Sequence, residues 1–143
     1  MGTPMLPAAR IATSLSRVTS TMLGRTFEVT TRAAPERWRT AMIKTSGVKP
    51  LAVALSSDRS GCAALAAAML MVDEDDLALE MIDDFMRELV NMTAGQIKRE
   101  LALDEALGMP RCVDEIDADL TWTHHILSSE TISMIVSLAP STV

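Results

Sequence analysis

Asp84-Phe-Met-Arg-Glu88-Leu-Val-Asn91-Met-Thr-Ala-Gly95 is the stretch on which the reading of this chain turns. A helix advances about 100° per residue, so Asp84, Glu88, Asn91 and Gly95 fall within about 60° of one another. Ile82, Phe85, Met86, Leu89, Val90, Ala94 and Ile97 fall on the opposite side, and a helix of that phase is clamped to a core by its back. A carboxylate and a carboxamide three residues apart then point the same way from a rigid support. Such a pair can grip a cationic group and orient a water. Any amphipathic helix also turns polar residues outward, so the spacing alone leaves a plain solvated face open. Asn91 is a weak helix former, a type more often placed at caps and turns. Gly95 costs about 1 kcal/mol relative to Ala inside a helix, and close approach of a partner over the Asn91 side would be one reason to keep it.

Outward from this helix, roughly Leu77 to Leu103, the chain divides into helices and β-rich runs. Pro7 is placed to start a helix that Gly24 stops near Leu23. Ile11, Leu15, Val18 and Met22 give it one apolar face. Strands are expected over Thr26–Thr31, Trp38–Thr45 and Leu51–Ser57, the last two joined by a hairpin-like turn at Gly47-Val-Lys-Pro50. The run Ala63 to Val72 is apolar throughout and reads as a buried helix starting at Ser60 or Gly61. Further strands are expected over Arg111–Ile116, Leu120–Leu127 and Thr131–Leu138. One helix, about three strands, two helices and about three strands lack a βαβ alternation. That order predicts an α+β fold in which long helices cover an antiparallel sheet.

The 143 residues suit a single domain over 1–143, and 48% apolar content is enough to fill one core. Eleven Met and many Ala stand in for aromatics, giving a soft core; Met81 and Met92 flank the polar stripe as an adaptable rim. Net charge is −6 and unevenly spread. Seven acidic and no basic residues lie between Asp73 and Asp84. An acidic chain without a basic stripe or interleaved aromatics is a poor nucleic-acid binder. No segment approaches the ~20 apolar residues needed to span a bilayer. Cys62 and Cys112 lack metal-ligand spacing and are expected to be reduced and buried, which fits a cytoplasmic protein. His124 and His125 would point to opposite faces of a strand and cannot chelate one ion together. No nucleophile elbow, phosphate-binding glycine loop or Cys-x-x-Cys is present.

Asp84-x3-Glu88-x2-Asn91, followed by Thr-Ala-Gly95 and later by Gly108-Met-Pro110, resembles the signature of the CheC, CheX and FliY chemotaxis phosphatases. The stretch Glu88-Leu-Val-Asn91-Met-Thr-Ala-Gly95-Gln-Ile-Lys98 is most similar to single-site CheX-like members. Departures exist: Pro110 follows Asn91 after fewer residues than is usual, and Gln96 stands where the family often has Asn. The N-terminal helix has neither Glu nor Asn, so a second site is not expected.

The resemblance implies a phosphatase that removes phosphate from the aspartyl phosphate of a receiver-domain response regulator. Catalytic roles would fall on Glu88, paired with the receiver's Lys, and on Asn91, holding the attacking water in line with phosphorus. Asp84, Gly95 and Pro110 would support the contact. No cofactor is expected on this chain, since the receiver brings Mg²⁺ and its own acidic pocket. A non-catalytic module of the same fold, docking a regulator or scaffold in two-component signalling, is the alternative. A structural, oligomerising domain is a third reading, and a homodimer stays open.

Overall fold

The computed structural model describes residues 6–103 and 106–141. In chain order they form α1 (Ala8–Leu23), β1 (Glu28–Val29), β2 (Arg39–Ser46), β3 (Leu51–Ser57), α2 (Arg59–Leu70), a 3₁₀ turn at Glu74–Asp76, and α3 (Leu79–Glu100). The strands β4 (Ala106–Leu107), β5 (Arg111–Val113), β6 (Thr123–Ser129) and β7 (Ile132–Pro140) follow. The strands make one antiparallel sheet in the order β1-β6-β7-β3-β2-β4, with β5 sharing the β2 edge. This is the expected α+β arrangement of a sheet covered by long helices.

The sheet has two unlike faces. Ala41, Ile43, Leu51, Val53, Leu55, Leu127, Met134, Val136 and Leu138 alternate onto the face under the helices and share one core with them. The opposite face carries smaller groups, among them Ala52, Ala54, Ser56, Ser137 and Ala139, all buried. There the Thr40 and Ser56 hydroxyls share a 2.8 Å hydrogen bond, and Lys44 reaches Asp117 in the β5–β6 connection at 3.3 Å. Both faces of β3 are buried, so its sequence reads as a continuous apolar run rather than an alternation.

Helix α1 is set by its ends. Pro7, with φ −65°, precedes its first turn, and Gly24 closes it in the left-handed region at φ 64°. Ile11, Leu15 and Val18 are buried at its back. Arg10 and Arg17 both pair with Glu100 at the far end of α3, so the two helices run antiparallel. Helix α3 buries Ile82, Phe85, Met86, Leu89, Val90, Ala94 and Ile97, the set its helical phase demands. An Arg39–Asp83 ion pair at 3.0 Å ties it to β2. Replacing Leu89 or Ile97, both at 0% exposure, by Ala would cost about 2–5 kcal/mol.

Several expectations are corrected, among them the later strands: β5 ends at Val113 rather than Ile116, and β6 runs Thr123–Ser129 rather than Leu120–Leu127. Strand β1 is only Glu28–Val29, because just two residues pair with β6. The two-residue β4 was not foreseen; it pairs with Thr45 and Ser46 of β2 and is too short to show a period. The Ala63–Val72 run is not buried to its end. Helix α2 stops at Leu70, and Met69, Leu70, Met71 and Val72 are 39%, 42%, 90% and 36% exposed. Its sheet-facing contacts end at Leu65 to Ala67, so the last turn projects past the core. Cys62 is buried as expected, but Cys112 on edge strand β5 is only half-buried.

Candidate functional site

The site rests on the exposed side of α3, which is unbroken from Leu79 to Glu100. Asp84 and Glu88 are exposed and Asn91 is half-buried. Neither the Glu88 carboxylate nor the Asn91 carboxamide makes a hydrogen bond or ion pair with any described residue. Asp84 differs: its carboxylate accepts from the Arg87 guanidinium one turn on. Arg87 is itself turned toward the Cys112 sulfur, 3.9 Å away. The unengaged groups on this face are therefore Glu88 and Asn91, three residues apart.

Two hollows flank the stripe. Asn91, Met92 and Gly95 line a groove of about 420 Å³ with Arg17 and Thr21 of α1 and Leu107 of β4. An added Cβ at Gly95 would meet nothing within 4 Å. The groove floor is thus open above Asn91, and nothing inside the described chain requires glycine there. The second hollow, of about 180 Å³, places Asp84 and Glu88 against Met22, Met69, Leu70, Met81 and Phe85. Met81 lines this hollow and Met92 lines the Asn91 groove; the helical angles put both on the same side of the stripe, about three turns apart.

Pro110 lies in the β4–β5 connection and lines neither hollow. The chain brings Glu88, Asn91, Asp84 and Gly95 onto one face of α3, and Pro110 is not on that helix. Arg17, Thr21, Met22 and the last turn of α2 complete the surroundings and were not singled out from sequence. Helical phase could have exposed Arg17 and Thr21, which stand four apart on α1. Their neighbourhood with Asn91 required knowing that α1 and α3 are antiparallel.

Elsewhere the two cysteines and His124 have structural engagements. Burial and nearby Asp58 push the Cys62 thiol up to about 12, and it donates to the Ser57 carbonyl. Burial, then Asp83, also raises the Cys112 thiol. Neither is poised as a thiolate nucleophile. His124 bonds the Ser137 hydroxyl at 2.7 Å from the small-residue face, whereas His125 lies on the other face; burial lowers the pKa of both. Among the described residues no three His, Cys, Asp or Glu side chains are grouped to hold a metal ion. No helix among them is long and apolar enough to cross a membrane.

What this face can do is bind and orient. A fixed carboxylate offers a partner to a cation, and a carboxamide both donates and accepts without titrating near neutral pH.

The fold recurs in solved structures. A chemotaxis protein CheX from Vibrio vulnificus superposes with a TM-score of 0.75 at 19% identity, over 94% of this chain and 99% of that one. A putative chemotaxis protein from Desulfovibrio vulgaris Hildenborough gives 0.74 at 18%, over 96% and 98%. A chain of the CheX-CheY-BeF3-Mg+2 complex from Borrelia burgdorferi gives 0.69 at 14%, over 92% and 96%. No curated protein matches the chain by sequence. The model of the family described as chemotaxis phosphatase CheX matches residues 39–133, which include all of β2 through β6 and the Glu88–Asn91 face. The chain belongs to the CheX family of chemotaxis phosphatases.

Proposed function

We propose that this chain accelerates hydrolysis of the aspartyl phosphate on a CheY-like receiver-domain response regulator. The observation that carries the reading is the pair Glu88 and Asn91: adjacent on one helical face, outward, and unengaged within a chain of this family. The CheX relative from Borrelia that was crystallised with CheY, BeF3 and Mg+2 supports the choice of partner.

The chemistry asks little covalent work of the phosphatase. Water attacks phosphorus, the bond from phosphorus to the aspartyl oxygen breaks, and inorganic phosphate leaves a free carboxylate on the receiver. Such a reaction responds chiefly to positioning of the nucleophile and to stabilisation of charge. In our reading the Asn91 carboxamide enters the receiver's pocket and holds the water in line, accepting from it and donating to a neighbouring oxygen. The Glu88 carboxylate pairs with a receiver Lys and fixes the angle of approach. The groove above Gly95 gives the receiver backbone room to come close to Asn91. Mg²⁺ belongs to the receiver, where it neutralises phosphoryl charge.

Decay of a phosphorylated receiver with and without the protein tests the proposal. Faster decay that depends on Asn91 is the expected result. Binding without faster decay would make the chain a docking module of the same fold, and absence of both would remove the receiver as its partner.

A further inference from the structure

We infer that the tip of α2 is a docking point for an apolar side chain flanked by Lys or Arg on the receiver surface. It deepens the phosphatase reading and rests on it. The last turn of α2 projects past the core, leaving Met69, Leu70 and Met71 at 39%, 42% and 90% exposure. Met71 caps the helix at φ 57°, ψ 43°, a left-handed conformation that is uncommon for a bulky side chain and usual for Gly. The chain holds a large apolar group in water, in a disfavoured backbone conformation, where Gly would cost less.

The hollow beneath this tip says what it accepts. At about 180 Å³ it is smaller than the roughly 300 Å³ and more of small-molecule pockets. It exceeds the ~150 Å³ that admits a benzene ring, so one leucine, methionine or phenylalanine side chain fits. Three of its walls are Met22, Met69 and Met81, whose flexible thioethers repack around differently shaped guests. Leu70 and Phe85 complete the apolar lining, and its polar edge is Asp84 and Glu88, so a guest seated here is continuous with the contact proposed for Glu88.

Charge fixes the rest of the partner. Asp73, Glu74, Asp75, Asp76 and Glu80 surround the tip, all are exposed, and none is in an ion pair. Unpaired like charges repel one another and are complemented by a basic surface. A receiver with an apolar residue beside Lys or Arg satisfies the hollow and its rim together. The tip then selects among receivers, while Asn91 acts on whichever one is seated.

Binding of a receiver domain activated with beryllium fluoride and Mg²⁺ should be titrated against wild type, Leu70→Ser, Met71→Gly and the remote control Val48→Ser. Val48 is 92% exposed in the β2–β3 turn. The expected result is about a tenfold loss of affinity for Leu70→Ser, equivalent to ~1.4 kcal/mol. A smaller loss is expected for Met71→Gly, whose cap is relaxed and whose fold is not at risk, and none for Val48→Ser. In the decay assay the Leu70→Ser change should fall on the half-saturating concentration rather than on the plateau rate. Unchanged affinity in both tip variants, with wild type accelerating decay, overturns this inference and leaves the phosphatase reading standing. Tip-dependent binding without acceleration supports the docking point and overturns the phosphatase reading. A wild type that neither binds nor accelerates overturns both.

Discussion

Glu88 and Asn91 stand three residues apart on α3, face the same way, and are left without a partner by the described chain. One turn before Glu88, Asp84 is held by Arg87. The contrast separates a carboxylate spent on the chain's own surface from two groups kept for something else. It also fixes where substitution should affect activity and where it should affect only stability.

Asn91→Ala should remove at least about a hundredfold of any acceleration of phospho-receiver decay, because misplacing a nucleophile alone can cost that much. The fold should be unaffected. The Asn91 side chain makes no hydrogen bond within the described chain, and Ala is the better helix former. Thermal unfolding equal to or slightly above wild type, with acceleration lost, is the expected pair of readings. Full acceleration in the variant would end the water-positioning role.

Glu88→Ala should act on binding. Truncating one partner of a close interfacial charge pair costs about 2 kcal/mol or more, or roughly a thirtyfold rise in half-saturating concentration. Added salt screens the attraction that wild type has and the variant lacks. The gap between them should therefore narrow as ionic strength rises. Titrations of the receiver at low and high salt measure it, and a gap independent of salt would argue against an ion pair at Glu88.

The phase of α3 was legible in the sequence because seven apolar residues repeat at helical spacing over one uninterrupted face. Pro7 and Gly24 marked the ends of α1 by their backbone preferences, β3 was visible as a β-rich run, and β7 by the alternation of Ile132, Met134, Val136 and Leu138. What escaped was short or relational. Two-residue strands such as β4 carry no period, and β1 is defined only by where Glu28 and Val29 meet Ser128 and Leu127. The exposed end of α2 escaped for a different reason. Ala63 to Val72 has the same apolar composition throughout, and only the reach of the sheet beneath it distinguishes a core residue from Met71. The Asn91 groove likewise needed α1 beside α3, a tertiary fact that no local pattern encodes.

The clasp between α1 and α3 should be sensitive to acid. Hydrogen bonding from Arg10, reinforced by Arg17, holds the Glu100 carboxyl below its ordinary value of 4.5. A depressed pKa in the folded state means that the unfolded chain binds the proton more readily. Stability from the clasp is then complete above 4.5 and lost as pH falls below it through the folded value. Glu100→Gln should lower Tm modestly at neutral pH, with the difference from wild type disappearing in acid. A difference constant from pH 7 downward through this window would mean that the carboxylate charge is not what matters.

Gly95→Ala should separate folding from partner contact. A Cβ there meets nothing within 4 Å, and removing glycine from a helix interior gains up to about 1 kcal/mol. For a chain of 143 residues that corresponds to a rise in Tm of about 4 °C. The same methyl group would project into the groove beside Asn91, where a receiver backbone needs room. The half-saturating concentration in the decay assay should therefore rise severalfold while Tm also rises. Stability and affinity moving in opposite directions from one methyl group cannot come from damage to the fold. A more stable variant with unchanged affinity would show that the partner does not pack over Gly95, and would confine the contact to the Glu88 side of the helix.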